Sequence, residues 1–260
     1  MKVIILCGGQ GTRLREETEF KPKPMVEIGG KPILWHIMKL YSHFGYKEFI
    51  LALGYKGDVI RDYFLNYKFY NNDFTIKLGN DNNVIFHSNN DEKDWTVTFV
   101  ETGVETMTGY RTKLCENYIS EDDFMLTYGD AVSNVNIKEL VKFHNKQNTI
   151  GTVTGVFPPS RFGDLSVEGN YVIKFKEKLT DVNNQPPING GFFVFKKDFF
   201  TTLENKKELV LETEPMEMLV REKQLSVYRH KGFWQCMDTY RDNLLLNNLW
   251  INNPEWKVWK

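Results

Sequence analysis

The chain has few cysteines and almost no net charge. Its 260 residues include three cysteines, Cys7, Cys115 and Cys236, and 33 lysines and arginines oppose 34 aspartates and glutamates, which gives a net charge of −1. The cysteines lie far apart without zinc-ligand spacing, so neither disulfides nor a structural zinc site is expected. A chain this close to neutrality lacks the basic surface of most nucleic-acid-binding proteins, and we expect no nucleic-acid partner.

Long apolar runs are also missing. No stretch approaches the roughly 18 residues of a membrane span, and the apolar run at residues 3 to 6 is too short for the core of a signal peptide. We therefore expect a cytoplasmic protein without a membrane partner. Hydrophobic residues at 41% and charged residues at 26% are typical of a globular protein.

The apolar pattern that is present predicts an α/β protein. A β-branched run at residues 2 to 7 is typical of a strand buried on both faces, and helical spacing at 33 to 44 followed by an apolar run at 48 to 53 completes a β-loop-α-β unit. Asn- and Asp-rich turns between 67 and 94 indicate a hairpin insertion. We predict one domain over 1–260, with a first half, 1–148, that contains the insertion and a β-rich second half, 149–260, that ends in helices.

A glycine-rich segment, GGQGTRL at residues 8 to 14, directly follows the first predicted strand. Glycines let the backbone approach an anion closely, and Arg13 adds guanidinium donors for phosphate oxygens. The spacing matches neither the Walker pattern nor the dinucleotide pattern G-x-G-x-x-G. We interpret the segment as a phosphate-binding loop, with an ordinary glycine-rich turn as the alternative.

Two lysines, Lys21 and Lys23, alternate with prolines in the segment KPKPM. A residue before proline is disfavoured in the helical region, so this segment is predicted to be extended with both ammonium groups on one side. Such a pair attracts an anion, but two solvated lysines explain the segment by itself equally simply.

Two carboxylates lie at predicted element ends. Asp130 follows the predicted strand at 123 to 128, at the edge where open α/β sheets bind ligands, and Asp238 precedes the last predicted helix. Because Mg²⁺ takes only one or two protein oxygens beside phosphates and water, the two aspartates suit a magnesium site. A turn role for Asp130 and a helix-cap role for Asp238 are the alternatives.

Several segments, taken together, resemble those of the sugar-phosphate nucleotidyltransferases, in the family's order and across nearly the whole chain. They are GGQGTRL, KPKPMVEIGGKPILWHIMK, MTGYR, TYGD, FPPSRFG, INGGFFV and GFWQCMDT. The resemblance implies a Rossmann-like fold with a mostly parallel mixed central sheet, a nucleotide-binding first half and a sugar-binding second half. It also implies Mg²⁺ as cofactor and transfer of the cytidylyl group of CTP to α-D-glucose 1-phosphate, with release of pyrophosphate.

Three alternatives stay open. The first is the same reaction with another nucleotide or sugar 1-phosphate, such as uridylyl or thymidylyl transfer. The second is a non-catalytic module that binds sugar nucleotides, which would not need Lys23, Asp130 and Asp238 together. The third, a nicotinamide-dependent oxidoreductase, is disfavoured because the first loop lacks the final glycine of that fingerprint.

The resemblance also implies roles for individual residues. Arg13 and Lys23 would be catalytic, and Asp130 and Asp238 would hold the metal. The nucleotide would contact Leu6, Gly8, Gly9, Gly11, Thr12, Arg13, Lys23, Thr108, Gly109, Arg111 and Asp130. The sugar phosphate would contact Arg161, Phe162, Gly163, Glu177, Lys178, Asn189 and Gly190. One departure concerns the family's E-K-P, which is Glu177-Lys178-Leu179 here.

The remaining aromatic and imidazole side chains suggest no further chemistry. Trp250, Trp256 and Trp259 near the end of the chain are predicted to anchor the core or a subunit contact, and we expect a homo-oligomer. The five histidines form no metal-ligand or Ser-His-Asp pattern, so none is given a catalytic role.

Overall fold

A computed structural model describes residues 1–11, 14–79, 83–87, 92–158, 164–176 and 186–259. Its strands, in chain order, are β1 (Val3–Leu6), β2 (Glu27–Ile28), β3 (Lys31–Pro32), β4 (Glu48–Leu53), β5 (Phe74–Ile76), β6 (Val84–Phe86), β7 (Thr96–Glu101), β8 (Asp123–Tyr128), β9 (Ala131–Ser133), β10 (Gly151–Val156), β11 (Asp164–Glu168), β12 (Tyr171–Lys176), β13 (Ile188–Lys196), β14 (Leu225–His230) and β15 (Trp234–Cys236). Its α-helices are α1 (Arg15–Thr18), α2 (Ile33–His43), α3 (Gly57–Leu65), α4 (Tyr67–Asn71), α5 (Thr108–Leu114), α6 (Ile137–Gln147), α7 (Glu214–Arg221) and α8 (Tyr240–Asn252). Short 3₁₀ segments lie at Lys23–Met25, Glu116–Tyr118 and Lys197–Thr202.

Seven strands form the central sheet, in the order β14-β10-β13-β8-β1-β4-β7. The pairs β8·β1, β1·β4, β4·β7 and β10·β14 are parallel, and β13 is antiparallel to both of its neighbours. The predicted mostly parallel mixed sheet is therefore confirmed. Both halves of the chain contribute, because β10, β13 and β14 extend the sheet that the earlier strands begin.

The sheet lies between two hydrophobic cores, which explains why β1 is apolar at every position and β4 at every position after Glu48. In β1, Val3 and Ile5 face one core and Ile4 and Leu6 face the other. The first core contains the buried faces of α2, α6 and α8. The second contains apolar side chains of the 3₁₀ segment Lys197–Thr202 and of α7. A strand covered on both faces needs a continuous apolar run rather than alternation, and that run was the signal in the sequence.

Local signals placed other elements correctly. The predicted insertion contains an antiparallel hairpin of β5 and β6, which forms a sheet of its own. The predicted start of α6 is confirmed, because the side chain of Asn136 accepts a hydrogen bond from the Glu139 amide. No helix within the described ranges is both long and apolar enough to cross a membrane.

Aromatic residues at the end of the chain pack into the first core, as predicted for core anchors. Trp256 and Trp259 are buried, and the Trp256 indole donates a hydrogen bond to Nδ1 of His36. The other ring nitrogen of His36 bonds to the carbonyl of Ile28, and burial lowers the pKa of His36 to about 4. His36 is therefore a neutral core residue.

Candidate active site

The candidate site is a cavity of about 430 Å³ at the carboxyl ends of the parallel strands β1 and β8. Open α/β sheets bind ligands at this edge because successive strands deliver their loops there. The predicted nucleotide-binding residues that line it are Leu6, Gly8, Gly9, Gly11, Lys23, Thr108, Arg111 and Asp130. Cys7, Gln10, Pro24, Val104, Glu105, Thr106, Met107, Tyr128 and Gly129 complete the lining.

Several predicted residues cannot be placed. Thr12, Arg13, Arg161, Phe162, Gly163, Glu177 and Lys178 lie outside the described residues. The roles given to these residues stay predictions, among them the catalytic role of Arg13 and most of the sugar contacts.

The glycine-rich loop needs glycine at two positions for different reasons. A Cβ on Gly8 would lie 2.0 Å from Nη1 of Arg111, so only glycine lets the loop rest on that guanidinium. Gly11 has φ +62°, in the left-handed region that glycine adopts most easily. Its carbonyl accepts hydrogen bonds from the Leu14 amide at 2.9 Å and the Thr18 hydroxyl at 3.1 Å, which fix the position of Gly11 relative to α1.

Arg111 supports this loop from below. Its side chain is 4% exposed, and the guanidinium donates to the carbonyls of Gly8, Leu53, Gly103 and Val104 and to the Thr102 hydroxyl at 2.6 to 3.2 Å. Burial lowers the pKa of Arg111, and the negative charge of Glu101 opposes that shift. With so many donors used within the protein, Arg111 places a fixed positive charge under the loop backbone.

We expect Gly8→Ala to displace the Arg111 guanidinium and to cost about 1 to 3 kcal/mol of unfolding free energy, as for other overpacked sites. The matched control is Gly9→Ala, because a Cβ there meets no atom within 4 Å. Thermal denaturation of the two variants measures the difference. Equal melting temperatures for Gly8→Ala and the wild type would contradict this prediction, because the Arg111 guanidinium would then move without any loss of stability.

Lys23 begins a 3₁₀ turn rather than continuing an extended segment, so the extended prediction is wrong here. Pro24 sits in the first turn, where its restricted φ suits helical geometry, and the Met25 amide donates to the carbonyl of Pro22. The two lysines consequently diverge. Lys21 pairs with Glu17 and Glu27 at 3.6 Å, away from the aspartates that Lys23 contacts.

The Lys23 ammonium lies between the two predicted metal-binding carboxylates. Nζ is 2.8 Å from Oδ2 of Asp130 and 2.6 Å from Oδ1 of Asp238, and the lysine side chain is 13% exposed. Burial lowers the pKa of Lys23, but the charges and hydrogen bonds of Asp130 and Asp238 outweigh it, so the pKa is raised. Lys23 is therefore a cation at neutral pH, held at the edge of the cavity.

A small antiparallel ribbon brings the two aspartates together. Strand β15 pairs with β9, and the Met237 amide donates to the carbonyl of Asp130 at 2.8 Å. The helix-cap alternative for Asp238 is wrong because Thr239 caps α8 and forms a capping box with Asp242. The Asp238 carboxylate instead contacts Lys23 and accepts a hydrogen bond from the Cys236 thiol at 3.7 Å.

The pair of aspartates fits a divalent cation that brings other ligands with it. Since both carboxylates reach one ammonium nitrogen, they can also converge on a metal ion. Within the described ranges, no group of three or more His, Cys, Asp or Glu side chains could hold a metal. Such a two-carboxylate set suits Mg²⁺, which keeps waters and takes phosphate oxygens.

On the predicted sugar side, Asn189 and Gly190 lie on β13. The amide of Asn189 donates to the Tyr128 hydroxyl at 3.2 Å, and its carbonyl oxygen accepts from the Gly191 amide at 2.9 Å. The carbonyl of Gly190 accepts from the Trp234 indole at 2.8 Å. Asn189 is thus tied to the cavity wall through Tyr128, whereas Gly190 contacts Trp234. Neither predicted residue is among the described residues that line the cavity.

On the predicted nucleotide side, Thr108 and Gly109 begin helix α5. The Thr108 hydroxyl donates to Oε2 of Glu212 at 2.7 Å. A Cβ on Gly109 would lie 2.8 Å from Cγ of Leu209, and the Gly109 amide donates to the carbonyl of Leu209. Gly109 therefore allows close packing and does not line the cavity described above, whereas Thr108 does.

Sequence reasoning missed three polar residues around the cavity: Thr102, Tyr128 and Glu212. Tyr128 could have been noticed because it directly precedes the Gly-Asp pair that was singled out. Glu212 gave no sequence signal, since its hydrogen-bond partners lie far away in the chain.

A larger cavity, of about 580 Å³, lies beside the insertion and does not coincide with this site. Its lining comes from α3, α4, Asn72, β6, β7 and residues 92 to 95, and half of the lining residues are aromatic. It has neither the glycine-rich backbone nor the paired carboxylates among the residues that the structure describes. The smaller cavity is therefore the candidate active site.

Residues 2–244 match the nucleotidyl transferase family. The chain is 44% identical to the glucose-1-phosphate cytidylyltransferase of Salmonella typhi and 43% identical to a Bacillus subtilis (strain 168) protein named as a probable glucose-1-phosphate cytidylyltransferase, each over 100% of both chains. A solved structure of UDP-glucose pyrophosphorylase complexed with UDP-glucose has a TM-score of 0.67 at 17% identity, covering 96% of this chain and 98% of that chain. That last likeness concerns the fold.

These findings agree with the glycine-rich loop, Lys23 and Asp130, which line the cavity, and with Asp238 beside Lys23. Enzymes of this family generally use a divalent metal, in keeping with the two carboxylates beside Lys23. The chain belongs to the nucleotidyl transferase family.

Proposed function

We propose that this enzyme transfers the cytidylyl group of CTP to α-D-glucose 1-phosphate, giving CDP-glucose and pyrophosphate. The observation that supports it most is the identity of 43 to 44% over full length to proteins named for this activity. The cavity agrees with such a reaction, since it combines a glycine-rich backbone, a lysine and an aspartate at one sheet edge.

In the proposed reaction, a phosphate oxygen of glucose 1-phosphate attacks the α-phosphorus of CTP in line, and pyrophosphate leaves. No bond to the protein forms, so the residues act by positioning and by neutralising charge. The backbone of residues 8 to 11 would hold the CTP phosphates above the Arg111 guanidinium. Lys23 would exchange its contacts with Asp130 and Asp238 for the phosphates at the reacting centre.

Mg²⁺ is the proposed metal, held by Asp130 and Asp238. When bound, it would neutralise phosphate charge as the two anionic reactants approach. The protein's own part is to supply two carboxylate oxygens from separate elements, the end of β8 and the segment before α8. The nucleotide is assigned to residues 1–148 and the sugar phosphate to 149–260, with Asp238 reaching across from the second half.

A pyrophosphate-release assay tests the function directly. Purified protein with Mg²⁺ is given glucose 1-phosphate and each of CTP, UTP, dTTP, GTP and ATP, and then CTP with other sugar 1-phosphates. We expect CTP with glucose 1-phosphate to give the highest kcat/KM. A higher value with UTP or dTTP would replace the cytidylyl assignment, and binding of CDP-glucose without turnover of any pair would favour a non-catalytic module.

We also propose that the protein forms a homo-oligomer and is located in the cytoplasm. Light scattering after size-exclusion chromatography measures the mass in solution, and a value near that of one 30.5 kDa chain would contradict the oligomer.

A further inference from the structure

Glu212 connects two hydroxyl groups that line the active-site cavity. Its Oε2 accepts a hydrogen bond from Thr108 Oγ1 at 2.7 Å, and its Oε1 accepts one from the Tyr128 hydroxyl. Glu212 itself is exposed and lies in the segment before α7, whereas Thr108 begins α5 and Tyr128 ends β8. One carboxylate thus joins three parts of the chain at the cavity wall.

The connection extends to β13 through Tyr128. The hydroxyl oxygen of Tyr128 accepts a hydrogen bond from Nδ2 of Asn189 at 3.2 Å. Thr108, Glu212, Tyr128 and Asn189 therefore form a continuous chain of hydrogen bonds, which we call the Glu212 network. It runs from Thr108 on the predicted nucleotide side to Asn189 on the predicted sugar side.

The donors and acceptors of this network allow one arrangement. A carboxylate only accepts, so both hydroxyl hydrogens point to Glu212. The Thr108 oxygen then accepts from the Leu211 amide at 2.9 Å, and the Tyr128 oxygen accepts from Asn189.

Packing holds the Tyr128 ring in the matching orientation. Gly191 has φ +76°, and a Cβ there would lie 2.4 Å from Cδ2 of Tyr128, so the ring rests against the backbone of β13. Phe193 contacts the ring edge-on, with centroids 5.9 Å apart. Packing therefore sets the plane of the ring, and Glu212 sets the position of its hydroxyl.

We propose that Glu212 is a positioning residue for both substrates. By holding Thr108 directly and Asn189 through Tyr128, it keeps the predicted nucleotide side and the predicted sugar side in register for the two reactants. The inference rests on the proposed function, because that function assigns the two sides to the nucleotide and the sugar phosphate. Glu212 acts through its neighbours and not on the reacting atoms, so its removal should affect KM more than kcat.

The test is steady-state kinetics of Glu212→Ala. Loss of two hydrogen bonds to a carboxylate should raise KM for CTP and for glucose 1-phosphate, each about three- to tenfold, with kcat changed less than about threefold. The KM values of Glu212→Gln should lie between those of the wild type and of Glu212→Ala, since an amide can still accept one of the two hydrogen bonds. The matched control is Glu208→Ala, which removes an exposed carboxylate from the same segment and should leave both KM values unchanged.

A double-substitution cycle separates positioning from general loosening of the fold. If Tyr128 acts through Glu212, adding Tyr128→Phe to Glu212→Ala should change KM less than about twofold, although Tyr128→Phe alone raises it. Additive effects, an unchanged KM for both substrates, or a rise for one substrate only would overturn the proposal. Melting temperatures identify any variant that fails to fold.

If the proposed function is wrong, the assay of the wild type shows it, whereas a wrong role for Glu212 appears only in the comparison of the variants. The wild type is assayed first with all five nucleotides, and the variants are compared with whichever nucleotide it uses. If the wild type turns over none, calorimetric titration with CTP and with glucose 1-phosphate replaces kinetics, with the same fold-changes expected in the dissociation constants.

Discussion

Replacing Lys23 by methionine is expected to lower kcat by about 10²- to 10³-fold, the usual effect of losing one preorganised group at a centre of developing charge. Methionine keeps most of the buried stem of the lysine but has no ammonium to place against the reacting phosphates. Steady-state kinetics with CTP and glucose 1-phosphate measures the loss, and circular dichroism verifies the fold. The matched control is Lys21→Met, because Lys21 pairs with Glu17 and Glu27 outside the cavity.

The same variant has a second, opposite effect that a simple loss of structure would not produce. The Lys23 ammonium lies between Asp130 and Asp238, 2.8 Å from an oxygen of Asp130 and 2.6 Å from an oxygen of Asp238. Removing that cation should make both carboxylates available, so nucleotide-free Lys23→Met should bind Mn²⁺ more tightly than the wild type. Near-normal turnover in folded Lys23→Met would remove Lys23 from the reaction, and weaker Mn²⁺ binding would contradict the position given to its ammonium.

Asp130→Asn and Asp238→Asn are each expected to abolish metal-dependent turnover with little loss of stability. An amide is a poorer ligand for Mg²⁺ than a carboxylate, so the site would lose one of its two protein charges. The effect on folding should be about 1 kcal/mol or less, because each side chain is about one-third exposed and its ion pair is screened by water. Kinetics over a Mg²⁺ titration and thermal denaturation measure the two quantities.

Removal of the metal supplies the corresponding test on the wild type. Treatment with a chelator should stop pyrophosphate release, and added Mg²⁺ should restore it. Asp122→Asn serves as control, since Asp122 is exposed just before β8, at the opposite end of that strand from Asp130. An active Asp238→Asn enzyme with an unchanged Mg²⁺ titration would exclude Asp238 as a metal ligand.

The sequence by itself determined the main elements of the fold. Continuous apolar runs marked β1 and β4 because strands covered on both faces cannot show alternation, and helical spacing marked α2. Asn136 marked the start of α6 because a cap is a local hydrogen bond. The order of GGQGTRL, KPKP, GD and the late aspartate was also enough to identify the family. Motifs in a fixed order can be identified along the chain without knowing which of them are in contact.

Only the tertiary structure decided how these motifs work together. Pairing of β15 with β9 brings Asp238 and Asp130 to the same lysine, Lys23, an arrangement that no local signal could reveal because the two aspartates are far apart in the chain. Lys23–Met25 also forms a 3₁₀ turn in the folded chain, although proline rules favoured an extended segment. Arg111 supports the glycine-rich loop because the fold places Gly8 on its guanidinium. The role of Glu212 likewise depends on hydrogen bonds between distant segments, and such bonds are specified by three-dimensional packing rather than by residue order.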